Sequence, residues 1–152
     1  MAMRAQVFSV ILLLACASGI PARYACPEFP EPVVDLAADA TPSPVACTLE
    51  AGPASYLENW RSELLHFWHP PNLGGDTGRT VTALKITTDG RVGDFCLYSE
   101  TNARTRSSVL NALRMFRPSE VPTPEVQACI ARPRFIATFT AKPAATRPNK
   151  AF

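Results

Sequence analysis

The stretch TVTALKITTDGRVGDFCLY, residues 80–98, decides the fold of this chain. Its first part is rich in β-branched side chains, which fit the pleated surface of a strand. The tetrapeptide Thr-Asp-Gly-Arg at residues 88–91 is typical of a tight hairpin, because glycine readily adopts the positive φ of such a turn. Residues 80–87 and 92–98 are therefore predicted to form two antiparallel strands.

Helical periodicity flanks this hairpin on both sides. Tyr56 and Trp60 lead a run of apolar residues at helical spacing, and the two prolines at 70–71 must end that helix. Residues 105–116 place apolar side chains on one face, which predicts a second helix. Residues 134–140, RFIATFT, alternate in the manner of a strand with one buried face. The predicted order of elements is α-β-β-α-β.

This order predicts the fold class and the extent of the domain. It implies an α+β fold, in which a small three-stranded antiparallel sheet has helices packed on one face. The compact domain is expected to span residues 54–141. Residues 18–53 are rich in proline and acidic residues, which predicts a linker, and residues 142–152 are predicted to be a disordered tail.

Composition and charge narrow the classes of function. A length of 152 residues favours one domain, and a net charge of +2 argues against a nucleic-acid partner held by overall charge. Basic residues gather in the second predicted helix, at Arg104, Arg106, Arg114 and Arg117. They form either a docking face for an acidic partner or, as the favoured alternative, a solvated helix face.

Residues 1–17 have the pattern of a secretory signal peptide. Arg4 supplies the positive charge, and the apolar run at 7–15 is too short to cross a bilayer, which needs about 20 residues. Cleavage after Ala17 would release a soluble protein. Residues 13–16 also resemble a bacterial lipobox, in which Cys16 would carry a lipid that attaches the protein to the inner or outer membrane. Both alternatives stay open.

Either cleavage leaves the same four cysteines for pairing: Cys26, Cys47, Cys96 and Cys129. An even number in an exported chain favours two disulfides in an oxidising compartment. Of the three connectivities, the sequence-local one is preferred, with Cys26 bonded to Cys47 and Cys96 to Cys129. Their spacing does not fit a zinc site.

Five short motifs occur in the order and at the spacing of a known family. They are Tyr56 with Trp60, W-H-P-P at 68–71, D-G-R-V at 89–92, S-E-T-N at 99–102, and Phe135-x-x-x-Phe139. Together they resemble the C-terminal periplasmic domain of the TonB/TolA proteins, over about 85 residues. Family members are coupled to a motor through a membrane anchor and a long Pro/Lys spacer. Neither is expected from this sequence, so the resemblance does not imply energy transduction.

The resemblance implies a function and a place for it. Family members bind partners by adding a strand to the edge of their last strand. The resemblance also implies a periplasmic protein of a Gram-negative bacterium that is linked to TonB-type transport. The partner would be an envelope protein or peptide segment, or a second copy in a homodimer. An internal disulfide of some TolA-like domains agrees with pairing Cys96 and Cys129. The expected partner-binding residues are Arg134, Phe135, Ile136, Ala137, Thr138, Phe139 and Thr140.

Two alternatives accompany this interpretation. The edge of the last strand could instead be protected by the tail or the linker. The protein could also be a structural subunit of an envelope assembly that is held by a lipid on Cys16.

No residue pattern indicates catalysis, and no cofactor is expected. His66 and His69 could present two imidazoles to a metal, but residues on a helix surface are the favoured interpretation. Nucleophile-elbow, phosphate-loop and zinc-protease motifs do not occur in the sequence. Trp60 and Trp68 are assigned to the core in preference to a binding platform. The chain is therefore expected not to be an enzyme.

Overall fold

A computed structural model describes residues 20–31, 33–36 and 51–143. The predicted signal peptide, the lipobox with Cys16, and Cys47 lie outside the described residues, as does the predicted tail from residue 144 onward. In the described part of the chain, no helix is both long and apolar enough to span a bilayer.

The described residues form a mixed α+β fold, as predicted from the sequence. Three helices and one four-stranded sheet are present in this part of the chain. A short 3-10 turn, Ala22–Tyr24, precedes them. In chain order the elements are β1 (Val33–Asp35), α1 (Ala51–Phe67), β2 (Gly78–Ile86), β3 (Val92–Glu100), α2 (Ala103–Met115), α3 (Pro124–Ile130) and β4 (Arg134–Ala141).

The sheet has the strand order β1-β4-β2-β3. β2 runs antiparallel to both β3 and β4, whereas β1 runs parallel to β4. The expectation of three strands is therefore wrong, because part of the predicted linker supplies β1. This segment is ordered by burial: Val34 and Leu36 retain only 6% and 8% of their exposure and join the core.

The hairpin between β2 and β3 forms as predicted. Gly90 has a φ of 82°, and its amide donates to the carbonyl of Thr87. A Cβ at position 90 would lie 2.5 Å from the hydroxyl of Tyr56, so the turn requires glycine for space as well as for φ. The indole of Trp60 donates to the carbonyl of Gly90 at 2.6 Å, which ties α1 to this turn.

All helices of the described chain pack on one face of the sheet. The residues of β4 that face them, Phe135, Ala137, Phe139 and Ala141, are buried with Trp60 of α1 in one cluster. Trp68, just after α1, packs edge-on against Phe139 with the ring centroids 5.2 Å apart. The assignment of Trp60 and Trp68 to the core is confirmed, since both are buried.

Candidate functional site

Residues 20–31 and 33–36, here called the strap, connect the two outer edges of the sheet. At the edge of β3, the amide of Cys26 donates to the carbonyl of Leu97 at 3.1 Å. At the edge of β4, the amide of Leu36 donates to the carbonyl of Ile136 at 2.9 Å. The strap must therefore cross the face of the sheet that the helices leave open.

A disulfide joins the strap to the middle of β3. Cys26 is bonded to Cys96, with the two Cα atoms 5.0 Å apart and a separation of 70 positions in sequence. The predicted sequence-local pairing, and with it the pairing of Cys96 with Cys129, is wrong. Cys129 is also disulfide-bonded.

The alternation of side chains along β3 explains this pairing. Leu97 packs against Leu110 of α2, so its neighbour Cys96 points to the opposite face of the sheet. Cys129 lies in α3, whose residues Val126 and Ile130 belong to the core on the helical side. The sheet therefore separates Cys96 from Cys129, whereas the strap brings Cys26 to the same face as Cys96.

Phe29 and Glu31 hold the strap where it crosses the open face. Glu31 lies 3.0 Å from Nζ of Lys85 on β2 and 3.6 Å from Nε of Arg134 on β4. The guanidinium of Arg134 lies over the ring of Phe29, 4.3 Å from its centroid, and the ring of Tyr98 contacts Phe29 edge-on at 6.2 Å. One acidic and one aromatic residue thus bridge three strands of the sheet.

Replacing Glu31 with glutamine is expected to lower the melting temperature slightly at neutral pH and not at acidic pH. The hydrogen bond from Lys85, assisted by the charges of Lys85 and Arg134, lowers the pKa of Glu31 in the folded protein. Its stabilising contribution is therefore present above the ordinary pKa of 4.5 and is lost as the pH falls through the lowered value. Thermal melts of both proteins across this range measure the difference.

The matched control for Glu31 is glutamine at Glu28, an exposed strap residue with no ion pair among the described residues. That variant should melt like the wild type at every pH. An effect of the Glu31 substitution that stays constant down to about pH 2 would show that the carboxylate charge is not what holds the strap.

The outer edge of β4 is only partly covered by the strap. β1 lies in the predicted linker and pairs with Arg134–Ile136, so the linker protects this part of the edge, as the alternative interpretation held. The carbonyl of Ile136 faces β1, and the backbone groups of Thr138 and Thr140 face the same way because this direction alternates along a strand. Within the described chain, no strand pairs with this edge from 137 to 141.

The predicted partner-binding residues of β4 fall into three groups by exposure. Phe135, Ala137 and Phe139 are buried against the helices and cannot contact a partner. Thr138 and Thr140 are exposed on the open face, whereas Arg134 and Ile136 are half-buried next to the strap. A partner at this edge would therefore be held mainly by backbone hydrogen bonds at Thr138 and Thr140.

The arginines in and just after α2 do not form one site. Arg106 pairs with Glu100 at 2.5 Å, and Arg117 donates to the carbonyl of Phe116 at 2.8 Å. Arg114 donates to the hydroxyl of Tyr24 at 3.0 Å, which lowers the pKa of that tyrosine. Part of the basic face of α2 therefore contacts the 3-10 turn of the strap.

The remaining polar candidates are not assembled into a centre. Nδ1 of His66 lies 2.8 Å from the carbonyl of Ser62, and Nδ1 of His69 lies 2.8 Å from the carbonyl of Phe67. Among residues 20–31, 33–36 and 51–143, no three His, Cys, Asp or Glu side chains lie together in a way that could hold a metal. The two histidines are thus bound to the backbone of their own helix end.

The surface beside Trp60 has a shallow cleft with about 0 Å³ of space for even a water-sized molecule. Small-molecule sites usually measure about 300–1,000 Å³, so this cleft has no room for a ligand. Burial, with the negative charges of Glu120, Glu63 and Asp89, raises the pKa of Tyr56 to about 12. The cleft is lined by Tyr56, Asn59, Trp60, Glu63, Pro118 and Glu120.

Comparison with known proteins adds no relative. No protein-family model, curated protein or solved structure matches this chain. The expectation of a TonB/TolA-like domain therefore rests on the short sequence motifs alone. The candidate site is the part of the β4 edge that no described strand covers, with the strap beside it.

Proposed function

We propose that this chain is a non-catalytic interaction module of the Gram-negative periplasm, which binds an extended segment of another envelope protein by strand addition. The site is the outer edge of β4 at residues 137–141. The observation that carries the proposal is that β1 covers this edge only as far as Ile136. Beyond it, backbone amides and carbonyls face outward with no strand against them in the described chain.

The residues of this edge favour strand addition. An edge strand presents a row of hydrogen-bonding groups, and an extended peptide can pair with it through its main chain. Proteins often protect such edges with charged residues or proline, but residues 137–141 are Ala-Thr-Phe-Thr-Ala. Neither device is present along this stretch.

Two further observations support the envelope as the location. The segment at residues 1–17 has the pattern of a signal peptide. Cys26, Cys96 and Cys129 are disulfide-bonded, and structural disulfides persist in oxidising compartments such as the periplasm. The resemblance to TonB/TolA domains supports a role linked to TonB-type transport. The protein would be either soluble or attached to a membrane through a lipid on Cys16.

Proline at Thr138 is expected to abolish partner capture with little loss of stability. The amide of Thr138 faces the open edge, so proline removes a donor needed by an added strand but no hydrogen bond to β2. Alanine at the same position keeps the amide and should change neither property. Capture is measured by placing a photoreactive amino acid at Thr140 and crosslinking in cells.

The crosslinking needs a control position away from the edge, for which exposed Glu58 on α1 is suited. The proposal expects a discrete adduct from Thr140 that disappears with proline at Thr138, and no such adduct from Glu58. An adduct that survives the proline substitution would refute strand addition. If the melting temperature of the proline variant falls by many degrees, the amide of Thr138 is instead used within the fold.

A further inference from the structure

The strap occupies part of the edge to which a partner would add, so its attachment controls how much of that edge is free. We propose that β1 is a displaceable occupant of β4, held in place by the Cys26–Cys96 disulfide. The position it leaves would accept, parallel to β4, an extended segment with an acidic residue and apolar residues three and five positions later. This inference rests on the proposed function, since it extends the same edge.

The contacts of β1 define the pattern that such a segment must have. Val34 and Leu36, two residues apart, bury their side chains in the main core. Three residues before Val34, Glu31 lies between Lys85 and Arg134. The surface that β1 occupies, here called the seat, therefore offers two apolar contacts and one cationic contact at fixed distances along an extended chain.

The backbone pairing that holds β1 is short. β1 pairs with β4 over Val33–Asp35, with one further hydrogen bond from the amide of Leu36, whereas a usual strand has about five or six residues. The side chain of Glu31 keeps 27% of its exposure, and a pair of that kind is screened by solvent. The disulfide at Cys26 is the covalent restraint on this end of the strap.

Release of this restraint is a two-electron thiol–disulfide exchange with a dithiol reductant. A thiolate of the reductant attacks one sulfur of the Cys26–Cys96 bond and forms a mixed disulfide, and the other cysteine leaves as a thiolate that takes up a proton. The second thiol of the reductant then resolves the mixed disulfide. The products are two cysteine thiols on the chain and an oxidised reductant.

The expected occupant is a segment of another protein, and not the strap of a second copy. In a second copy the strap is bonded to its own β3 and seated on its own β4. An intramolecular segment has an effective concentration of the order of millimolar, which exceeds that of a second copy in dilute solution. A segment that is not already seated has no such competing site.

Amide hydrogen exchange of the full chain tests the restraint without any partner. In the variant with Cys26→Ser and Cys96→Ser, the amide of Leu36 should exchange at least tenfold faster than amides of β2. In the wild type, the amide of Leu36 and the amides of β2 should exchange at more similar rates. If the Leu36 amide and the β2 amides accelerate by the same factor, the strap opens only with the whole domain, and the inference fails.

Binding of a synthetic peptide tests the seat. The probe is FPEPVVDL, the sequence of residues 29–36, and the control peptide carries aspartate in place of Val34 and Leu36. The receptor is the full chain with Val34→Asp and Leu36→Asp, in which the disulfide is intact and the seat is vacated. This variant also serves if the double serine variant does not fold.

The probe should bind the vacated chain at least tenfold more tightly than the wild type, and the control peptide should not bind. Failure of the probe to bind the folded, vacated chain would overturn the inference. So would a dimer of the serine variant, which would assign the seat to a second copy. Crosslinking from Thr140 that persists in either case would leave the proposed function standing while this inference falls.

Discussion

Replacing Trp60 with alanine is expected to lower the free energy of unfolding by about 3–5 kcal/mol, the range for large aromatic residues truncated in a core. The ring of Trp60 keeps 1% of its exposure and packs edge-on against Phe116, with the centroids 5.4 Å apart. Its indole also donates to the carbonyl of Gly90, so the substitution leaves both a cavity and an unpaired acceptor in the hairpin turn. Chemical denaturation followed by circular dichroism measures the loss.

Phenylalanine at position 60 separates the two causes. It retains most of the packing against Phe116 but removes the hydrogen bond to Gly90, so a loss of about 1–2 kcal/mol is expected. An alanine variant that is as stable as the wild type, yet has lost partner capture in cells, would show that Trp60 is a binding platform after all.

Removing the Cys26–Cys96 disulfide is expected to cost about 4 kcal/mol in the chain-entropy model, because the bond closes a loop of about 70 residues. The change is a double substitution of Cys26 and Cys96 by serine. Since a small domain is stable by about 5–15 kcal/mol, the protein should still fold but melt much earlier. Guanidinium denaturation of the oxidised proteins measures the difference.

Two controls test the cause of this loss and the disulfide itself. Alanine at both positions should give the same loss as serine, because the effect comes from the open loop and not from the polarity of the new side chains. Thiol labelling of the denatured, unreduced wild type should leave Cys26, Cys96 and Cys129 unmodified. Labelling of Cys26 together with Cys96 would contradict the bond itself.

The local elements of the domain follow from the sequence alone. The hairpin between β2 and β3 depends on Gly90 and its neighbours, and the helical spacing around Trp60 predicts the face that is buried. The alternation in β4 likewise predicts that Phe135 and Phe139 face the core. These features could be predicted because the interactions that determine them lie within a few residues of one another or repeat with a fixed period.

The strap could not be predicted from its composition. Residues 20–36 contain four prolines, and the strand within them has three residues, too few to show an alternating pattern. Its order comes from distant groups: Val34 and Leu36 enter the core, and Glu31 lies between Lys85 and Arg134. The pattern Glu-x-x-Val-x-Leu was the available signal, but it has no meaning until β4 is placed beside it.

The sequence by itself determined the α+β class, the hairpin, and the buried faces of α1 and β4. Only the tertiary structure decided that β1 is a fourth strand, that Cys26 bonds Cys96, and that β1 covers the edge of β4 as far as Ile136, with no described strand beyond it. The physical reason is that pairing between strands and between cysteines depends on which groups the fold brings to the same face or edge. That proximity joins residues 70 or more positions apart, and no local periodicity records it.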